Sequence, residues 1–383
     1  MVSTRTGVAM IVLGALLASA SVMAWAAGAH RGVFAEAGPA EGLRAGRLAL
    51  NAPLPDKVPP GVRLVIGDPM TEQVLRHTGW DKQLPFQVQW AEITGGPAVT
   101  EAFHAKALDV GAAADIPPIH ATFVGIPVKM VAVRFRQDPQ HHPLYVLAVA
   151  PSAGVRTLAD LRGKRIAFSP GQVQGEIVLR SLEAAHLTSR DVKLVELPST
   201  SGDVYISALV GGLVDVAPIG AGVVAKHYVD SYGAQGARLI PHSATRDDLT
   251  DLYVRTETLE DPGKAAALRA YVKLWARAQA WVATHHEEFA RLYYVGREGL
   301  SLADAQYTEQ ASGEPDIPSD WSEAIALEQA SVDLMARQSG HRRFDAATIF
   351  DRRFEAIAAD ALAEGRPAAG SQAVALAKPQ RTP

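Results

Sequence analysis

The chain has 383 residues, 48% hydrophobic and 20% charged, a globular composition with ample material for a core that excludes a disordered chain. Its 37 basic and 41 acidic residues give a formal net charge of -4. The basic excess of a nucleic-acid binder is therefore missing, and an anion site has to be built locally. There is no cysteine, which excludes disulfides, thiolate metal sites, iron–sulfur clusters, a cysteine nucleophile and a lipid-bearing N-terminal cysteine.

Residues 1–29 read as an export signal. Arg5 precedes a charge-free apolar run over 7–17, and small-residue sites follow at Ala18-Ser19-Ala20, Ala24-Trp25-Ala26 and Ala27-Gly28-Ala29. The stretch is long enough either to be cleaved as a signal or to stay as an N-terminal anchor. Residues 30–60, rich in Ala, Gly and Pro, read as a spacer, and 356–383 as a loose tail.

Branched apolar residues ending at a glycine predict a strand over 62–67, with a helix over 72–78 after it. A strand at 86–90, a break at Gly95-Gly96-Pro97, a helix over 98–107, a strand at 109–113, a helix from Pro117 and a strand at 128–134 follow. This rhythm implies a mostly parallel, doubly wound sheet. It restarts with strands at 144–150, 165–168, 192–197, 214–219 and 238–241, interleaved with a short helix at 157–160 and helices at 174–186 and 205–210. Beyond about residue 250 the pattern is helical, over 265–283, 289–294, 302–310, 321–337 and 346–359. Two similar halves with a helical return suggest two lobes, with the chain crossing between them twice.

Several segments carry a resemblance. Ile66-Gly67 looks like a first strand end, and Glu92-Ile93-Thr94-Gly95-Gly96-Pro97 resembles a Gly-Pro turn after strand two. Residues 108–118 are similar to a stretch ending in Asp-x-Pro-Pro, residues 158–168 to a widespread Asp-Leu-Lys-Gly-Lys signature, and residues 213–217 to a Gly-x-Val-Asp-Ala element. By these, from about residue 62 to 350, the chain resembles periplasmic binding proteins for aliphatic sulfonates, taurine and nitrate, the receptors of ABC-type importers. The resemblance implies the α/β, two-lobed periplasmic-binding-protein fold of type II, each lobe a doubly wound sheet, with C-terminal helices. Lobe 1 is expected at 61–148 plus 246–355 and lobe 2 at 149–245. It also implies a cleft that closes on ligand, no catalysis, no cofactor and no metal. The expected partners are a small organic anion and a membrane permease with its ATPase, with no nucleic acid, for a periplasmic monomer.

In doubly wound sheets ligands sit beyond the carboxyl ends of the strands, where helix N-termini offer unpaired N–H groups to an anion. Asp68 and Met70, then Thr94, Gly95 and Gly96, then Asp115 and Ile116, and then Ser169, Gly171, Gln172 and Gln174 occupy such loops. Ser169 either caps a helix or binds an oxyanion, Gly171 allows close backbone approach, and the two glutamines are neutral donors. Gly95-Gly96 either exposes N–H groups or makes a tight turn. Asp115 repels an anion, so it reads as a helix cap, unless the ligand is a zwitterion with an ammonium. Small residues around Gly220 widen the cleft where relatives carry aromatics. Tyr253 reaches the cleft or packs in the interior. Arg134 and Arg136, with His141 and His142 beyond, either attract anions or form a solvated loop. The ligand expected first is a sulfonate. Nitrate or a sulfate ester, a thiamine-precursor-like heterocycle, a signalling receptor and an enzyme on the same fold are the alternatives.

Three catalytic patterns are excluded. His285-His286-Glu287-Glu288 lacks the second zinc ligand, because Ala290 stands four residues after His286. There is no Gly-x-Ser-x-Gly elbow, and Gly171 and Gly175 lack dinucleotide-loop spacing.

Overall fold

The computed structural model describes residues 46–93, 95–198 and 202–365, so the export signal expected at 1–29 lies outside the described residues. In chain order the elements are β1 (Arg63–Gly67), α1 (Pro69–Thr78), β2 (Gln87–Trp90), α2 (Gly96–His104), β3 (Val110–Ala114), α3 (Ile116–Phe123), β4 (Val128–Arg136) and β5 (Tyr145–Val149). Next come β6 (Arg165–Phe168), α4 (Val173–Ala184), β7 (Lys193–Glu196), α5 (Gly202–Val210), β8 (Val216–Gly220), α6 (Val223–Tyr232), β9 (Arg238–Ile240) and β10 (Thr250–Arg255). The described residues end with α7 (Thr256–Glu260), α8 (Pro262–Val282), α9 (His286–Phe289), α10 (Leu302–Ser312), β11 (Pro315–Asp316), α11 (Ser322–Ser339) and α12 (Glu355–Gly365).

Local chemistry sets these limits. Asp68 accepts the Thr71 amide ahead of Pro69, and Gly79 closes α1 in the left-handed conformation. Asp261 caps α8 through the Lys264 amide, with Pro262 in its first turn, and Ser301 caps α10 through the Asp304 amide. Each such cap is worth about 1 kcal/mol.

The strands form two sheets. The first has six strands in the order β11-β4-β10-β3-β1-β2 and the second five in the order β7-β6-β8-β5-β9. In the first, β1 is parallel to β2 and β3, while β10 runs antiparallel between β3 and β4. In the second, β6 is parallel to β7 and β8, and β5 is antiparallel to β8 and β9. Both sheets are therefore mixed, where the sequence rhythm predicts mostly parallel ones. An antiparallel strand enters each sheet after a crossing, β10 in the first and β5 in the second, and the short β11 adds a further antiparallel edge to the first.

The structure corrects the sequence reading elsewhere. Residues 250–255, to which the sequence reading gave no strand, form a buried inner strand. The first crossing lies at 137–144, since β5 begins at Tyr145 and belongs to the second sheet, whereas the sequence put the lobe boundary at 148. Helix α6 was not anticipated, because only Ala225 and Tyr228 on it are buried and its apolar pattern is weak. The second half of the expected spacer is docked: Leu50, Leu54 and Val58 pack against the core, and the Leu48 amide donates to the Glu260 carbonyl. The helix expected over 346–359 is two 3-10 turns followed by α12, and Ala358, Ala361 and Leu362 of α12 are buried, so the expected tail begins with a docked helix.

The two crossings are tied side by side. Asp247, buried in the second, accepts the amides of Leu144 and Tyr145 at 3.0 and 2.7 Å. Asp248 accepts the Arg136 amide and pairs with Arg246, whose guanidinium lies 3.9 Å over the Phe135 ring. Among the described residues no helix is long and apolar enough to cross a membrane.

Candidate functional site

The carboxyl edge of the first sheet carries Gly67, Ala114 and, antiparallel to them, Thr250 opposite Arg134. Side chains alternate faces along a strand, so Thr250 and Asp251 point to opposite sides of this edge.

On the α8 side sits a polar group built around Arg134. Its Nε donates to the Thr250 hydroxyl at 3.2 Å and its Nη1 to Gln279 Oε1 at 2.8 Å. Among the described residues Nη2 makes no bond to protein. Burial pushes this guanidinium below its ordinary range, Arg136 adds to that, and Tyr294 and Asp68 oppose it. Asp68 is buried and accepts the Tyr271 hydroxyl at 2.8 Å, and burial raises its carboxyl. Met70 is half-buried against Gln279. Asp68 and Met70 thus lie together, with the Asp68 carboxylate engaged by its own helix cap and by Tyr271.

On the other side three helix starts converge. The Gly96 backbone lies so close to Pro117 that a Cβ would come within 2.4 Å of its ring, which brings the start of α2 onto that of α3. Gly95 is its exposed N-cap, at φ +82°. Asp115 is buried, and its Oδ1 accepts the Ile116 amide at 2.9 Å; the Ile116 side chain is buried in the core. From the second sheet, the loop before α4 reaches across. Gly171, at φ +74°, abuts His120 of α3, and a Cβ there would meet three ring atoms at 2.7 to 2.9 Å. Glycine is needed here for conformation and for space. The Ser169 hydroxyl donates to Gln172 Oε1 and accepts no helix amide, so it does not cap α4; Gln172 is the N-cap and Gln174 is half-buried in the first turn.

Gly95, Gly96, Asp115, Ile116 and the 169–174 loop are thus brought together, while Gly220 lies at the end of β8 opposite Tyr145. Tyr253 is fully buried, its ring edge-on to Phe103 at 4.9 Å, which is the packing alternative. Thr94 lies outside the described residues. Arg134 and Arg136 are not a solvated loop: β4 extends through both, and Arg136 Nη1 donates to the His142 and Pro143 carbonyls. His141 is exposed and pairs with Asp138.

Three acids were missed by sequence reasoning. Glu176 lies in the first turn of α4, Asp251 on β10 and Glu328 in the middle of α11, all buried. The signal was present for one of them: Trp321, Ala324, Glu328, Ser331 and Val332 form one helical stripe, with an acid at its centre. Asp251 became interpretable only once its segment was known to be an inner strand.

A cavity of about 560 Å³ lined by Phe103, Lys106, Ile126 and Arg255 opens at the opposite edge of the first sheet. Another, about 570 Å³, lies beside Phe123 and Phe344. Among the described residues no group of three or more acidic or histidine side chains is arranged to hold a metal ion.

Comparison with known proteins adds to this geometry. A protein of Escherichia coli (strain K12) described as aliphatic sulfonates-binding is 32% identical over 118 residues, a match that spans 30% of this chain and 36% of that relative's length. The alkanesulfonate-binding protein of Xanthomonas axonopodis pv. citri, solved bound to MOPS, superposes with a TM-score of 0.63 at 21% identity, over 78% of this chain and 99% of that one. A desulfurization enzyme superposes with a TM-score of 0.52 at 15% identity, over 79% and 99%. The architecture is the two-lobed periplasmic-binding-protein fold. The profile of the NMT1/THI5-like family matches residues 76–288, more than half of the sequence, and the chain belongs to that family.

Proposed function

We propose that the chain is an exported solute-binding receptor of an ABC-type importer, which captures a small organic anion, an aliphatic sulfonate, between its two lobes and hands it to a membrane permease. It works in the periplasm as a monomer and performs no catalysis. One observation carries the reading. A half-buried guanidinium, Arg134, and the starts of α1, α2 and α3 lie along one sheet edge, against which the α4 loop of the other lobe rests through Gly171 and His120.

The anion is received by Arg134 Nη2 and by main-chain N–H groups at the starts of α1, α2 and α4, around Met70, Gly95, Gly96, Gly171, Gln172 and Gln174. Such donors are already oriented before ligand arrives and exploit the partial positive charge at helix N-termini. Asp247 and Asp248 keep the crossings in register, so the lobes hinge there as they close. The sulfonate-binding names of the similar proteins support the choice of anion.

Thermal melting with a panel of alkanesulfonates, nitrate, sulfate esters and thiamine precursors tests this. A ligand present at one hundred times its dissociation constant stabilises the folded state by about 2.7 kcal/mol, a shift of a few degrees. A shift with sulfonates that is lost in Arg134→Gln supports the assignment. A shift with a neutral heterocycle alone overturns it.

A further inference from the structure

Asp68, Asp248 and Glu309 all bear electrostatically on Arg134. Two of them are engaged elsewhere. Asp68 holds the Thr71 amide and the Tyr271 hydroxyl, and Asp248 holds the Arg136 amide and Arg246. Glu309, in α10, is 8% exposed and only half engaged. Its Oε1 lies 2.9 Å from His286 Nδ1, while its Oε2 is buried and, among the described residues, accepts no hydrogen bond. Burial raises its carboxyl; His286 and, less strongly, Arg134 oppose that. The end of α10 is fixed on this face of the sheet, because the Ala311 carbonyl lies 3.5 Å from Arg136 Nη1 and the Ser312 hydroxyl 3.4 Å from that of Tyr294.

His286 opens α9, which runs into a π-helical turn over 290–295 that carries Tyr294. Its second nitrogen, Nε2, stands 3.1 Å from Glu314 Oε1, just before β11. A neutral imidazole has one N–H and donates to one carboxylate only, so both contacts together require the imidazolium. The ring is half-exposed and exchanges its proton with solvent. The Glu309 hydrogen bond, with Glu314 behind it, holds this histidine above its ordinary range. The charged groups around the pair have partners of their own. Glu287 holds Arg291 and Glu288 holds His77, while Asp304, at the other end of α10, holds His227 and Lys226. His285 stacks on Trp281.

Loss of the proton from His286 leaves Glu309 a buried carboxylate without its cation, facing Glu314, an arrangement that proteins do not sustain. Arg136 is taken up by the His142 and Pro143 carbonyls. The nearby guanidinium with an unengaged nitrogen is Arg134, the group that receives the anion.

We propose that His286 is a positioning residue for the anion site: its imidazolium holds Glu309 off Arg134, and its deprotonation turns the Glu309 carboxylate onto the guanidinium in place of the ligand. This rests on the receptor reading above and adds regulation to it. Anion binding is full while His286 is charged and is lost as pH rises through its titration.

Two measurements on the full chain test this. In the first, without ligand, the side-chain NMR resonances of Arg134 are followed from pH 6 to pH 9. They are expected to move with the titration of His286, and to stay still in Glu309→Gln. In the second, isothermal titration with butane-1-sulfonate is expected to show binding weaker by about tenfold for each pH unit over which one proton is coupled. His286→Gln binds as weakly at pH 6 as the parent does at pH 9. Glu309→Gln binds tightly at both values, and so does the double variant, a rescue that a merely structural role for His286 does not produce. Arg134 resonances that ignore His286 overturn the inference, and this readout needs only the unaltered chain. Binding that is independent of pH, or a double variant as weak as His286→Gln, overturns it too and leaves the receptor reading intact. Arg134 resonances that follow His286 in a chain that binds no butane-1-sulfonate support the clasp and overturn the choice of anion.

Discussion

Replacing Gly171 by alanine tests the contact between the lobes. At φ +74° a residue with a side chain pays the left-handed penalty, about 1–2 kcal/mol. The new Cβ also falls 2.7 Å from Nδ1 and 2.9 Å from two carbons of the His120 ring. Ordinary contact begins several tenths of an ångström further out, and overfilling of this kind costs about 1–3 kcal/mol. The two parts are separable, since His120→Ala removes the steric part and leaves the backbone part. Urea unfolding of Gly171→Ala, His120→Ala and the double variant yields the interaction energy, expected at about 1–3 kcal/mol with the double variant less damaged than the sum of the singles. In the same set, Gly171→Ala weakens ligand binding and the double variant recovers part of it. Strict additivity, within about 0.5 kcal/mol, refutes the claim that α4 of one lobe rests on α3 of the other through this glycine.

Stability has an unusual pH dependence near the acidic cluster. Asp115, Asp251 and Glu328 ionise less readily folded than unfolded, so the folded state binds more protons, and their contribution is full below about pH 4 and lost as pH rises toward their raised values. The ligand-free chain is therefore expected to gain from Asp251→Asn and Glu328→Gln at pH 8 relative to pH 5, by about 1.4 kcal/mol for each pH unit of that interval over which the folded carboxyl keeps a proton the unfolded one has lost, read from urea unfolding at the two pH values. Comparing variant with parent removes the contribution of His286, whose value is also raised, by Glu309. Asp247→Ala strips the acceptors of two backbone amides and costs about 1–3 kcal/mol for each, with faster hydrogen exchange at Leu144 and Tyr145 as the local readout. Tyr271→Phe leaves the buried Asp68 carboxylate short of a donor and lowers stability by about 1–3 kcal/mol, seen as a drop of several degrees in melting temperature.

The sequence by itself determined what is local. A branched apolar run closed by glycine marked β1, short apolar runs marked β3, β6 and β8, and the Pro117-Pro118 pair marked the start of α3, because such φ restraints act within one turn. The resemblance to solute receptors rested on such short motifs, and they also located the helix starts around Gly95, Asp115 and Gly171. Tertiary structure alone decided the rest. Residues 250–255 carry no glycine or turn signal of their own and become an inner strand because β3 and β4 leave an antiparallel slot between them. Arg134 looked like half of a surface cluster, yet its guanidinium is drawn inward by Thr250 and Gln279, each more than a hundred residues away. Asp251 and Glu328 are ordinary acids in the sequence. Only the packing of α11 against α3 and α4, and of β10 between β3 and β4, buries them beside Asp115, and burial, a property of the assembled chain, turns common carboxylates into groups that demand a partner.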